Sequence, residues 1–197
     1  MREFAAIPRA DRRQIFRRAF VASLPVLLGY VTMGFAAGVL MGVTPNVPCA
    51  PFWSGFLGLA AVSGTLSFVM PAQIGETASL GAIALLTLGI NFRYAFYGFS
   101  MLKRWRGIPV LQKWFLVHSL ADEIYALDVA CTEPDPVRNR YYCLWNHALN
   151  VSYWLFGTTA GGIAGSTLPI PTKGIEFTMA ALFLVIFTDQ MKGFLKK

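Results

Sequence analysis

The hydrophobic positions fall into long uncharged runs rather than into the one-faced or alternating patterns of a water-soluble fold. The first run, 19–41, carries no charge, and a helix needs about 20 such residues to cross the hydrocarbon core of a bilayer. A second run covers 52–70 and stops at Pro71, and a third covers 78–102 with one charge, Arg93. The fourth, 114–131, is apolar but holds His118, Asp122, Glu123 and Asp128. A fifth runs over 144–168, and a sixth, 175–188, follows Pro169 and Pro171. Pro45, Pro48 and Pro51 mark 42–51 as a loop, and Pro134 and Pro136 mark the join between the fourth and fifth runs. A helix that is apolar all round must lie in lipid or inside other protein. The pattern therefore predicts an all-α, polytopic helical membrane protein of about four to six hydrophobic helices. Residues 1–18 read as a basic cytoplasmic arm on the membrane surface, 19–190 as the helical transmembrane domain and 191–197 as a short basic tail.

Composition agrees with that reading. Of 197 residues, 55% are hydrophobic and 14% charged, with a mean hydropathy of +0.52; a soluble domain carries about 25% charged residues to cover its surface. The net charge of +7 is not spread like that of a nucleic-acid-binding protein. Arg2, Arg9, Arg12, Arg13, Arg17 and Arg18 precede the first run, and most other basic residues lie between or after later runs. Basic loops placed so are held on the cytoplasmic side and touch anionic head groups. This predicts a multi-pass protein of the bacterial inner membrane with its N-terminus in the cytoplasm and no nucleic-acid partner. The first run is too long for the core of a cleaved signal and is followed by others, so it reads as a retained helix. Cys49, Cys131 and Cys143 have no CxxC spacing and suggest neither a disulfide framework nor zinc. His118 and His147 read as isolated, so no metal is expected, and the absence of GxxxxGK[ST] leaves no cofactor implied.

Charge counting raises a question of topology. If all six segments cross, the loop with Lys103, Arg104, Arg106 and Lys113 lies outside, against the positive-inside rule. If the second and fourth segments instead enter and return on one side, every basic loop becomes cytoplasmic. Both are suited to breaking: the second holds Ser63-Gly64-Thr65 and the fourth holds adjacent carboxylates. Broken helices at membrane depth mark binding sites in transporters. Six simple spans and two broken or re-entrant segments both stay open at this point.

Three clusters carry the candidate chemistry. The first is Asn91-Phe92-Arg93-Tyr94-Ala95-Phe96-Tyr97-Gly98. Arg93 lies about 13 Å before Leu102 at about 1.5 Å per residue, deeper than a side chain can fully span by snorkelling. A charge in a bilayer costs roughly 2.5–3.5 kcal/mol on the lenient insertion scale, so Arg93 is expected to face a cavity or a partner, with Tyr97 on the same helix face. The second is Asp122-Glu123-Ile124-Tyr125, whose carboxylates offer Arg93 a counter-charge and a place to take up a proton; the competing reading is a wet interfacial helix. The third is Asn150-Val151-Ser152-Tyr153-Trp154, followed by Gly157, Gly161, Gly162 and Gly165. The glycines suit close helix packing, and Tyr153 and Trp154 suit either an interfacial belt or a substrate wall.

These motifs resemble the AzlC-type branched-chain amino acid permeases, the large subunit of a two-part exporter. Asn91-Phe92-Arg93-Tyr94 with Tyr97-Gly98 looks like the family's N-x-R-[HY]…Y-G signature, and Asp122-Glu123-Ile124-Tyr125 like its D-E-x-[FY]. Tyr153-Trp154 with Gly157 and Gly161, then Gly174-Ile175-Glu176-Phe177 and Ala180-Ala181-Leu182-Phe183, are similar to later blocks. The resemblance implies secondary, proton-motive-force-driven efflux of valine, leucine, isoleucine and their analogues, with a small AzlD-type membrane subunit as partner, no covalent chemistry and no enzymatic activity. It points to Gly64, Ser67, Asn91, Arg93, Tyr97, Asp122, Glu123, Tyr125, Asn150, Tyr153 and Trp154 as substrate-binding or coupling residues. Ser67 stands where the family has a glutamine in A-G-x-x-Q-F, which changes the donor and acceptor set. The family continues past the Phe183 region with further hydrophobic sequence, so a partner completing the bundle, or a shortened relative, is expected. A homo-oligomer is a further expectation, and a non-transporting membrane scaffold is the reading from a different class.

Overall fold

The structure, a computed structural model, describes residues 8–45, 47, 49–61, 63–75 and 79–169, with single positions at 174, 177 and 184. Apart from those single positions, the sixth run, the family blocks at 174–177 and 180–183 and the lysine tail therefore lie outside the described residues. Seven helices appear among those described: α1 (Arg9–Val43), α2 (Ala50–Ala61), α3 (Gly64–Gly75), α4 (Leu80–Met101), α5 (Val110–His118), α6 (Asp122–Ala130) and α7 (Pro136–Thr167). No strand occurs among the described residues. The fold is all-α, and two helices, Arg9–Val43 and Gly81–Met101, are long and apolar enough to cross a membrane.

The second and fourth hydrophobic segments are both broken. In the second, Ser63 sits between α2 and α3, and its hydroxyl accepts from the Leu66 N–H at 3.4 Å, ending one helix and capping the next. In the fourth, α5 stops at Ser119 and Ala121 turns extended (φ −123°, ψ 170°) before α6 begins. Asp122 and Glu123 occupy the first turn of α6, where carboxylates are favoured by the unpaired N–H groups and the helix dipole.

The basic arm is described from residue 8. It continues without a break into the first hydrophobic run, through Pro25, as the single 35-residue α1. At about 1.5 Å per residue that helix is about 52 Å long, well beyond the roughly 30 Å hydrocarbon core. The basic end is held by a small ion network: Arg18 to Glu133 at 2.6 Å, Arg138 to Asp11 at 3.0 Å and Arg138 to Glu133 at 3.4 Å. Near it, Ile15 and Ala19 of α1 join Met101, Trp105, Leu116, Leu120, Tyr141 and Cys143 in a buried apolar cluster.

The central contact is between α1 and α7, and it is made by backbone. Gly34, Gly38 and Gly42 on α1 face Gly157, Gly161 and Gly165 on α7. A β-carbon added at Gly165 would come within 2.5 Å of the Val39 carbonyl oxygen, and one at Gly157 within 2.8 Å of the Val31 carbonyl oxygen. At Gly38 and Gly161 it would strike the carbonyl oxygens of Thr158 and Phe35. Without a hydrophobic drive in lipid, such close approach supplies the dispersion contacts that hold helices together. The predicted groove of small residues is thus the seam of the molecule. Gly29, lower on the same helix, has open space beside it. In contrast, α4 lies at the margin, with Leu85, Leu88, Phe92, Phe96 and Phe99 all exposed.

Candidate functional site

The site forms where α4 meets the N-terminal end of α6. Arg93 lies on α4 eight residues before the helix ends at Met101. Its Nη1 reaches Asp122 Oδ2 at 2.9 Å, with both side chains about one-third exposed (37% and 35%). Its Nη2 donates to the Tyr94 hydroxyl at 3.3 Å, and the guanidinium lies 5.1 Å from the centre of that ring. Tyr97, one turn on from Arg93, stacks on Tyr125 of α6 with centroids 4.7 Å apart and planes 17° apart. Ser100 donates to the Tyr125 hydroxyl at 3.2 Å. Between the two helices, the charged pair and the stacked rings form one continuous surface.

That surface is not fully satisfied. Arg93 Nε, Asp122 Oδ1 and Asn91 Oδ1 are buried and have no hydrogen-bond partner. Buried polar atoms without partners are uncommon in stable folds. Glu123, beside Asp122, points the other way and accepts from the Tyr30 hydroxyl of α1 at 2.9 Å. Adjacent helical residues project about 100° apart, so one carboxylate serves α4 while the other serves α1. Tyr30 in turn packs edge-on against Trp154 of α7, centroids 5.6 Å apart. Trp154 also fills the space next to Gly64, where a β-carbon would meet its Cη2 at 3.6 Å. A chain of contacts thus runs from the break in the second segment, through Trp154 and Tyr30, to the break in the fourth.

Other predicted residues lie elsewhere. Ser67 donates to the Ser63 carbonyl at 3.1 Å and lines a small cavity of about 20 Å³ with Ser54, Met41 and Thr158, apart from Arg93. Tyr153 meets Ser23 hydroxyl to hydroxyl at 3.1 Å, tying α7 to α1. Asn150 donates to the carbonyl and the side-chain oxygen of Asn146, both at 2.8 Å, within a buried polar row.

His147, read from the sequence as isolated, is not. It sits fully buried on α7 with Nε2 3.1 Å from Asp128 Oδ2 and Nδ1 2.7 Å from Ser119 Oγ. Asn146 donates to the other Asp128 oxygen at 2.8 Å. Tyr30 and the Asp128–His147 pair were the residues that sequence reasoning did not join to the site. The signal for Tyr30 was the one phenol hydroxyl inside an uncharged run; for the pair it was an acid and a base, each inside an apolar segment, each needing a partner.

Residues 25–168 match the family described as AzlC protein. The chain is 33% identical over 176 residues to the branched-chain amino acid transport protein AzlC of Bacillus subtilis, covering 89% of this chain and 67% of that one. It is 33% identical over 183 residues to an uncharacterized membrane protein of Helicobacter pylori, with 90% and 76% covered, and 29% identical over 176 residues to the inner membrane protein YgaZ of Escherichia coli, with 82% and 67% covered. No solved structure matches. An all-α chain with two broken hydrophobic segments, an arginine–carboxylate pair between them and this likeness over most of its length is a membrane transport protein, and it belongs to the AzlC family.

Proposed function

We propose that this protein exports branched-chain amino acids across the bacterial inner membrane, driven by the proton-motive force, as the large subunit of a pair completed by a small AzlD-type membrane protein. The observation that supports this most is the Arg93–Asp122 pair at 2.9 Å, with Arg93 Nε and Asp122 Oδ1 unpartnered. A free amino acid carries one carboxylate and one ammonium on a single carbon. Inserted between the two side chains, it replaces one ion pair by two: its carboxylate on Arg93, its ammonium on Asp122. The exchange conserves charge, so each ion keeps a counter-charge throughout. Tyr94, Tyr97 and Tyr125 form an apolar wall with polar rims, suited to a branched aliphatic side chain. The N-terminus is cytoplasmic in this reading, because the basic end of α1 faces the side with the other basic loops.

The test is release of preloaded leucine or valine from cells expressing the chain alone and with a small partner. Release that requires Arg93 supports the reading. No release in either case, with insertion confirmed, favours the scaffold instead.

A further inference from the structure

We propose that the cleft between the basic end of α1 and the C-terminal end of α6 binds one anionic phospholipid, its phosphate held by Arg17 and Arg18 and its acyl chains lying along Val21, Ala22 and Leu127. The site is separate from the Arg93–Asp122 face and rests on no reading of what is transported.

Two polar ties join this part of the chain to α1. Arg18 meets Glu133, just past α6, at 2.6 Å, and Tyr30 donates to Glu123, at the start of α6, at 2.9 Å. Beside the first tie opens a cavity of about 600 Å³, within the roughly 300–1,000 Å³ of small-molecule sites. Its two walls run in opposite chain directions yet change chemistry in the same direction in space. Along α1 the lining passes from Gln14, Arg17 and Arg18 to Val21 and Ala22, over a rise of about 12 Å. On the facing side it passes from Thr132, just beyond the end of α6, to Ala130 and Leu127. The Arg18–Glu133 contact sets residues 18 and 133 at one level. The polar ends of both walls therefore lie together, and so do the apolar ends.

That level is the edge of the membrane segment. The first uncharged run begins at residue 19, so Arg17 and Arg18 stand at head-group depth and Val21 and Ala22 form the first turn inside. A molecule that fills the cleft meets charge at the rim and hydrocarbon below it, and a phospholipid has that same division. A soluble anion gains nothing from the apolar walls and leaves Val21, 56% exposed, uncovered.

The rim favours a lipid with net negative charge. Arg17 is exposed and forms no ion pair or hydrogen bond among the described residues. Arg18 gives Nη1 to Glu133 and keeps its other N–H groups for a second acceptor. The carboxylates around the cleft are already engaged: Glu133 by Arg18 and Arg138, Asp11 by Arg138, Asp128 by His147 and Asn146, and Asp135 by the Val137 N–H. Arg104 adds a positive charge at the carbonyl of Cys131, which also lines the cavity. Segments 9–18 and 128–140 together with Arg104 carry eight arginines against four carboxylates. Basic pockets between membrane helices capture anionic head groups by such an excess. A zwitterionic lipid brings its own ammonium to the same rim.

Native mass spectrometry of the full chain, stripped of lipid in a neutral detergent, tests the site with dioleoyl phosphatidylglycerol, dioleoyl phosphatidylethanolamine and glycerol phosphate. One phosphatidylglycerol should bind at least about fivefold more tightly than the ethanolamine lipid, and glycerol phosphate should not bind at the same concentrations. Arg17→Gln should weaken the phosphatidylglycerol adduct about fivefold, the effect of one arginine at a membrane surface. Arg13→Gln removes the same charge from an exposed arginine outside the cleft and should change binding by less than about twofold. Ala130→Trp, at an exposed position on the wall, fills the cleft without altering charge and should weaken binding at least as much as Arg17→Gln, with the parent's helical circular dichroism. Equal losses in Arg13→Gln and Arg17→Gln would mean diffuse attraction to the basic arm and overturn the site. No adduct, or unchanged binding in Ala130→Trp, overturns it as well. Two lipids that bind alike, or glycerol phosphate that binds as tightly as the lipid, overturn the anionic phospholipid as occupant.

Discussion

Two parts of the molecule are built on opposite principles. Along the α1–α7 seam, glycine meets glycine and backbone touches backbone, with no room for a single added carbon. Between α4 and α6, two charges and four aromatic or hydroxyl side chains meet across a half-exposed surface with polar atoms left over. The seam has one arrangement available to it, because any shift of register drives carbonyl oxygens into α-carbons. The α4–α6 face has several, because ion pairs and stacked rings tolerate sliding. A transporter needs both: a fixed frame, and a site that rearranges against it. The broken segments belong to the second part, and α6 is the element that touches both, through Tyr30 and Asp128 on the frame side and Arg93 on the other.

That contrast can be broken most severely at the seam. Gly161→Ala places a β-carbon on the Phe35 carbonyl, and overpacking against backbone costs about 1–3 kcal/mol or more. It should lower the melting temperature in detergent by many degrees and reduce the amount of protein in the membrane. The matched control is Gly29→Ala, which meets nothing within 4 Å and should be neutral or stabilising by up to about 1 kcal/mol from helix propensity. Equal melting of the two variants would mean that the seam is not packed as described.

Arg93→Ala should do the reverse. Its side chain is about one-third exposed, and such pairs add about 0–1 kcal/mol to stability, so melting should barely change while leucine release falls at least tenfold. An Arg93→Ala protein that melts early and transports normally would turn the comparison upside down.

Tyr30→Phe removes the hydroxyl that donates to Glu123 at 2.9 Å. A hydrogen bond to a charged group contributes about 1.5–3 kcal/mol, so a larger loss of stability than in Arg93→Ala is expected, together with a smaller, several-fold loss of transport as α6 loses one anchor. Loss of stability without any change in transport would separate Tyr30 from the site.

The smallest effect is expected at Gly64. A β-carbon there meets Trp154 at 3.6 Å, an ordinary contact, so Gly64→Ala should change melting by less than about 1 kcal/mol and leave leucine release within twofold. A collapse of release with normal melting would give Gly64 a direct role that its packing does not suggest.

The hydrophobic runs by themselves determined that this is a helical membrane protein, and Ser63-Gly64 and Asp122-Glu123 marked two segments as suited to breaking, but whether they break was decided only by the structure. Both follow from local physics: a lipid-facing helix must be apolar over its length, and small or charged residues inside such a run weaken it where they stand. The ordered motifs around Arg93 and Asp122 carried the family, because they are contiguous in the chain.

Only the tertiary structure decided which side chains meet. Nothing in the spacing of residues 30, 123 and 154 shows that one tyrosine joins a carboxylate to a tryptophan, nor that Ser67 lies apart from Arg93. His147 read as isolated because Asp128 and Ser119 are 19 and 28 residues away, and contacts across that distance depend on how α6 and α7 are set by the glycine seam. Local sequence specifies what each segment can be; the approach of backbones, fixed by shape along the whole length of two helices, specifies what each charged group finds beside it.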